Sequence, residues 1–337
     1  MTKQRFYAFD IIRTIAAYAV IIVHVTAIAY TLYDRDSFQL LAVSVINRTF
    51  KFTTPVFIFL GGLMVNLKYK DRAFKIRPFY LDRFKRIYVP YLIFSLLYML
   101  SHVLLFGSKY APDLILEHLV YGSAKYHLYF VIIISQLYLI TPLLIKLKTT
   151  KHKHTIALIT LIINLWAIVY LVFPYSDRFF LKYAFPYLVG LLYGTELSTF
   201  LKSLTVKRAV VLTTVLTGVI YAGSFYYQTI GTKGYSPEFQ ILIWFIYTNL
   251  CVYSLIILAH WLEKNTWLRD KAVSITQYSF FIYLIHPLVL DGNERLLNTA
   301  GLHSVTLRLA LNLAVTLVLS TILSKWLKKL FSFLRLA

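Results

Sequence analysis

Cysteine is nearly missing from this chain. Cys251 is the only one in 337 residues and sits in an apolar run, so no disulfide framework, cysteine-held metal or thiol chemistry follows from it. Acidic residues are scarce as well, 14 against 35 Lys and Arg, for a net charge of +21. In a water-soluble chain that imbalance would suggest nucleic acid. Here the basic residues collect in short segments between apolar runs, so membrane orientation and anionic partners account for them and nucleic acid does not. Several catalytic devices are also lacking. There is no Gly-x-Ser-x-Gly, no Gly-rich nucleotide loop and no His-Glu-x-x-His, which leaves a serine nucleophile, ATP hydrolysis and a bound zinc or other metal without support. No polar stretch is long enough to fold separately, so residues 1–337 are expected to form a single domain.

What is present is apolar surface. The chain is 59% hydrophobic with a mean hydropathy of +0.67, which predicts an all-α, polytopic membrane bundle. Runs of membrane length fall near 8–32, 38–66, 87–106, 127–146, 154–173, 179–195, 208–228, 239–262, 272–291 and 304–327. Ten transmembrane helices are therefore expected, with a short one at 179–195 and a long one at 38–66 that tilts or breaks at Pro55. Met1 to Gln4 leads directly into the first run without a small-residue cleavage site, so that helix is expected to be retained. The charges test the count. With both termini cytoplasmic, 24 basic residues lie in inner segments and ten in outer ones, Arg13 being the remaining one, and the alternation holds throughout.

The first helix carries three ionisable groups inside its apolar run: Asp10, Arg13 and His24. Such groups are costly in a membrane unless they face a bundle interior and have a partner or a task. Arg13 and His24 point within roughly 20° of each other, about 16 Å apart along the axis, with Asp10 one turn from Arg13. One stripe thus offers a carboxylate, a guanidinium and an imidazole. The alternative is a polar seam that only holds helices together.

Further polar positions follow. Ser44, Asn47, Arg48 and Lys51 recur at helical spacing on the second helix, where snorkelling to the interface suits Lys51 better than Arg48. Gly61-Gly62 nearby permits a bend or a close backbone approach. The segment from Lys68 to Arg86 holds eight cations. Its first five suit an anionic lipid surface, whereas Arg83, Lys85 and Arg86, at the start of a helix, suit phosphate. Gly107 to Tyr126 reads as a solvated outer loop or a short lid. Tyr126, His127 and Tyr129 open the fourth helix, where aromatics form an interfacial belt and His127 is placed to touch a sugar. Near the end, His286 precedes Pro287, and its ring is suited to donating to the carbonyl that the proline leaves without a partner.

A buried, neutral His24 can act as a general base. A base aimed at a hydroxyl, with a phosphate-binding cluster on the cytoplasmic side, fits acyl coenzyme A as donor. Its phosphates would meet Arg83, Lys85 and Arg86 with Arg13, its thioester would reach His24, and an outer sugar hydroxyl would attack, directly or through an acyl-histidine.

These residues resemble the acyltransferase 3 family of integral membrane O-acyltransferases. The matching strings are Arg13, ten residues, then His24; Arg83-Phe84-Lys85-Arg86 before Ile87 and Pro90; His127-Leu128-Tyr129; and Tyr283-Leu284-Ile285-His286-Pro287. Thr54-Pro55-Val56-Phe57-Ile58, Ser279 to Tyr283 and Asp291 are most similar to members tied to poly-N-acetylglucosamine, by succinylation or by export. The resemblance implies transfer of acetyl or succinyl from acetyl-CoA or succinyl-CoA to a cell-surface polysaccharide, in the plasma membrane of a bacterium. His24 and Asp10 would be catalytic, Arg13, Arg83, Lys85 and Arg86 would hold the coenzyme, and Asn47, Arg48, Tyr126, His127, Tyr129 and His286 would meet the acceptor. The expected partners are acyl-CoA, the polysaccharide and the lipid bilayer, with a polysaccharide synthase as a further candidate. Two departures stand out: Asp82-Arg83 replaces the two adjacent arginines of some relatives, and the soluble esterase-like domain of others is absent. The rival reading is a glycan exporter or flippase without acyl transfer.

Overall fold

A computed structural model of the chain describes residues 6–35, 37–194, 196–197, 203–231 and 234–336. The inner cations Lys3, Arg5 and Lys202 counted above lie outside these residues. The described residues are all-helical, with no strand among them. Eight helices are long and apolar enough to cross a membrane, or nine when one pair bent by 72° counts as a single span. They fall on the expected runs. The pair is 266–299, on the expected 272–291, and the short run at 179–195 becomes the apolar segment Phe180–Tyr193.

The chain forms two compact units: Met1–Phe57 with Glu196–Leu327, and Ile58–Thr195 with Lys328–Ala337. In the first, helix α1 (Tyr7–Ala27) packs against α2 (Phe38–Thr49), α11 (Pro237–Leu262), α12 (Thr266–Thr276) and α13 (Ser279–Thr299), while α10 (Leu204–Thr229) pairs with α2 and α11. Buried Ala8, Ala16, Ala17 and Ala19 let neighbours approach α1 closely. Ile21, Val25, Ile282 and Leu290 form a dry cluster beside them. Caps set the starts: Ser37 accepts from the Leu40 N–H at 3.2 Å, Ser236 ahead of Pro237 from Phe239 at 3.2 Å, and Asn265 from Leu268 at 3.1 Å.

The second helical run breaks upstream of the position expected. Helix α3 (Thr53–Lys68) restarts after a turn at Phe50–Phe52, and Pro55 occupies its third position. A proline removes the hydrogen bond to the residue four before it and collides with that carbonyl. The residue concerned is Lys51, so the break falls one turn ahead of Pro55. Once the helix restarts at Thr53, the missing N–H costs nothing.

In the second unit, α3 crosses α9 (Ala184–Tyr193) backbone to backbone: a Cβ on Gly62 would lie 2.1 Å from the Tyr187 carbonyl oxygen, and one on Gly190 would lie 2.2 Å from that of Phe59. Close approach, rather than a bend, is what the glycine pair supplies. Helix α7 (Tyr129–Leu144) anchors the link to α9, since Gln136 donates to the Arg178 carbonyl at 2.9 Å and accepts from the Phe180 N–H at 3.1 Å. Asn164 on α8 (Lys153–Tyr170) does the same at Lys182 (3.0 Å) and Phe185 (2.9 Å). The segment from Lys68 to Arg86 is not a loop to its end. Helix α4 (Ile76–Arg83) runs through a π turn (Phe84–Tyr88) into α5 (Val89–Phe106). The segment 107–126 likewise contains a helix, α6 (Pro112–Tyr121), between Gly107 and Gly122, which adopt φ of 65° and 63°. The last helix, α14, spans Val305–Phe333.

Candidate functional site

The candidate residues divide between the units. Asp10, Arg13, His24, Asn47, Arg48 and His286 belong to the first, and Arg83, Lys85, Arg86, Tyr126, His127 and Tyr129 to the second.

On α1, twelve of 21 residues are buried, and Asp10, Arg13 and His24 are half-buried along the one stripe that their spacing predicts. Asp10, Arg13 and His24 are thus partly open, and Ile15, Tyr18, Ile22 and Thr26 form a second half-buried strip on another side of the helix. The His24 ring stacks on His286, with centroids 5.3 Å apart and planes inclined by 24°. His286 is completely buried, and its Nδ1 lies 2.8 Å from the Tyr283 carbonyl and 3.2 Å from that of Ile282. A carbonyl only accepts, so Nδ1 carries the hydrogen and Nε2 of the neutral ring carries the lone pair. Pro287 has no N–H for Tyr283, four residues before it, and His286 fills that place.

Asn47, 1% exposed, donates from Nδ2 to the Val23 carbonyl and to Thr26 Oγ1, each at 2.8 Å. It clamps the backbone next to His24. Arg48 turns elsewhere: Nη1 donates to the Tyr221 hydroxyl at 3.3 Å, and the guanidinium lies 3.2 Å from the centroid of Phe225.

In the second unit, Asp82 is the centre of a cationic group. Its carboxylate lies 2.8 Å from Arg86 Nε, 3.1 Å from Lys68 Nζ and 3.7 Å from Arg83 Nη1. Arg83 is largely covered, its guanidinium 4.7 Å from the Tyr138 centroid and 5.3 Å from that of Phe79. Lys85 and Arg86 are exposed. One carboxylate against three cations leaves positive charge available to phosphate, but Asp82 competes for the same guanidiniums. Sequence reasoning noted Asp82 only as a departure. Its proximity in sequence to Arg83 and Arg86 was the available signal, whereas the contribution of Lys68, on another helix, had none.

His127 is 1% exposed, edge-on to Tyr98 at 5.4 Å and to Tyr126 at 5.8 Å. Tyr126 is the exposed ring there, with Lys125 Nζ over it at 5.2 Å. Tyr129 is half-buried. A neighbouring aromatic pair was not singled out in sequence: Tyr121 and Tyr175 stack at 4.4 Å, and Arg178 lies 4.7 Å over Tyr175 and donates to the Tyr121 carbonyl. Tyr175 also donates to Glu117, a bond that raises the phenol above its ordinary value because the carboxylate favours the protonated form. Among the described residues, no group of three His, Cys, Asp or Glu side chains converges in a way that could hold a metal.

A family model described as an acyltransferase domain matches residues 6–325. Among curated proteins, the chain is 23% identical over 302 residues to a "Probable poly-beta-1,6-N-acetyl-D-glucosamine export protein" of Staphylococcus aureus, covering 83% of this chain and 81% of that protein. It is 23% identical over 266 residues to the protein of the same description in Staphylococcus epidermidis, covering 73% and 70%. No solved structure matches.

Proposed function

The chain belongs to the acyltransferase 3 family, and from that premise we propose that it moves an acetyl or succinyl group from cytoplasmic acyl-CoA to a hydroxyl of an extracytoplasmic polysaccharide resembling poly-N-acetylglucosamine. It is a multi-pass bacterial membrane protein. The observation that carries the reading is the stripe on α1, where Asp10, Arg13 and His24 share one side of the helix and the His24 ring stacks on the buried His286, in a chain matched to an acyltransferase domain over almost its whole length.

In this reading His24 takes the proton of the sugar hydroxyl as its oxygen attacks the thioester carbonyl. The C–S bond then breaks, and the proton passes from His24 to the departing sulfur, giving ester and free coenzyme thiol. His286 supports the His24 ring by stacking, and Asn47 fixes the backbone that presents it. Asp10 and Arg13 set the charge along the stripe. Arg83, Lys85 and Arg86 take the coenzyme phosphates, while Tyr126, with Tyr129 and His127 behind it, offers a sugar-stacking surface. Ten spans with cytoplasmic termini belong to the same proposal, supported by the 24 to 10 division of basic residues and by the bent pair and Phe180–Tyr193 added to the eight long helices.

The test is thiol release by purified protein given acetyl-CoA or succinyl-CoA, with and without poly-N-acetylglucosamine. Acceptor-stimulated release that His24→Ala abolishes, in a variant that still folds, is the expected result. The names of the staphylococcal relatives favour a second reading, export of the glycan. Glycan movement into vesicles without any acyl donor, together with no thiol release from either donor, would replace the first reading with the second.

A further inference from the structure

The first unit contains two cations that have no acid. Arg48 and Lys51 are half-buried in a membrane-length helical run and close enough for their charges to repel. Among the described residues neither forms an ion pair. Holding like charges together away from water is costly without a counter-charge. The groups around them are hydroxyls, which carry hydrogens to donate and no negative charge. Arg48 Nε is buried and has no acceptor, and the same is true of Ser44 Oγ, on a residue that is 0% exposed, and of the Tyr30 hydroxyl. The Tyr30 hydroxyl lies close to both Ser44 and Arg48, near hydrogen-bonding reach, with Tyr221 beside it.

The walls are rigid. Phe225 lies flat under the guanidinium at 3.2 Å and takes the Tyr30 ring on its edge at 5.5 Å. Tyr221 packs on Tyr247 at 5.8 Å, whose hydroxyl is tied to the Thr49 carbonyl at 2.6 Å. Stacking on Phe225 holds the Arg48 plane in place and leaves its Nε edge, with the two hydroxyls, as a ready set of donors. Snorkelling accounts for one long side chain at an interface. It does not account for a buried guanidinium N–H without an acceptor beside a second cation.

We propose that Tyr30, Ser44, Arg48, Lys51 and Tyr221 form a binding site for an oxyanion, a carboxylate or phosphate group carried by a small ligand. The donors fit its oxygens and the two cations balance its charge. The site stands independently of acyl transfer, since binding needs no thioester.

The test is thermal unfolding of the full chain in detergent or nanodiscs, titrated with succinate or with inorganic phosphate at ionic strength held constant by chloride. A saturable rise in midpoint with either anion is expected, because a ligand that binds only the folded state stabilises it. A response to succinate alone assigns the site to carboxylates, and a response to phosphate alone assigns it to phosphate. Arg48→Gln, which keeps a planar donor but removes the charge, is expected to weaken the response roughly tenfold or more. It should also unfold no earlier than the parent when no anion is added, since a repulsion has been removed. Lys51→Gln provides the same comparison if Arg48→Gln does not fold. No saturable shift with either anion beyond chloride, or an unchanged shift in the folded variant, overturns the proposal.

Discussion

The Nδ1–H of His286 occupies the place of the N–H that Pro287 lacks, which makes asparagine an informative replacement: its amide nitrogen can make the same bond to the Tyr283 carbonyl at 2.8 Å without an imidazole to stack on His24. His286→Asn is expected to unfold near the parent midpoint and to lower the turnover of acyl transfer, whereas His286→Ala loses stability as well, by about 1–3 kcal/mol for a buried carbonyl left bare. Thermal unfolding alongside the thiol assay separates the two, and full activity in the asparagine variant would reduce the ring to a helix repair. Asp82 supports a second comparison. It holds Lys68, Arg83 and Arg86, so Asp82→Asn should tighten coenzyme A binding severalfold, most at low salt, while Arg83→Ala with Arg86→Ala weakens it by about 1–2 kcal/mol. Titration at two ionic strengths reads both. The histidine bond was legible in the His-Pro pair because it is local. The Asp82 cluster was not, since Lys68, at the end of α3, meets the end of α4 only once the chain is folded.

Among the helices, the crossing of α3 and α9 sets the tightest constraint, with room for hydrogen and nothing larger at Gly62 and Gly190. Gly62→Ala or Gly190→Ala must separate two backbones and is expected to cost about 1–3 kcal/mol or more. Gly223→Ala, in a helix with nothing within 4 Å of the added Cβ, should be neutral or gain up to about 1 kcal/mol from helix propensity. Denaturation midpoints of the three variants rank these outcomes. Helix positions were readable because long apolar runs permit little else in a membrane. The ends were less so: the polarity around Arg77 looks like a loop, yet the helix expected to start near Arg83 already begins at Ile76, because charged side chains tax a helix little when their ends reach water. The break before α3 was attributed to Pro55 itself, although the clash it creates is with the carbonyl of Lys51.

For the whole molecule, the periodicity of apolar runs could not reveal that the contacts gather into two units, with α3 and α14 passing from one to the other. That division depends on pairings between residues far apart in sequence, such as α1 with α12 and α13. Orientation, by contrast, is written in charge, and it can be measured. Cys251 is only 5% exposed, so the native thiol is shielded from an impermeant reagent, and single added cysteines can report sidedness. With ten spans and inner termini, Lys151→Cys lies on the cytoplasmic side and Lys109→Cys outside, so an impermeant maleimide applied to intact cells should label the second and spare the first until the membrane is opened. A cysteine at Glu263 should follow Lys151 and one at Tyr235 should follow Lys109, because the three spans near 154–173, 179–195 and 208–228 separate Lys151 from Tyr235 and the one near 239–262 separates Tyr235 from Glu263. If Phe180–Tyr193 does not cross, the labels at Tyr235 and Glu263 exchange sides while those at Lys109 and Lys151 stay. The experiment thus decides between nine and ten spans on the one short helix where length alone leaves the count open.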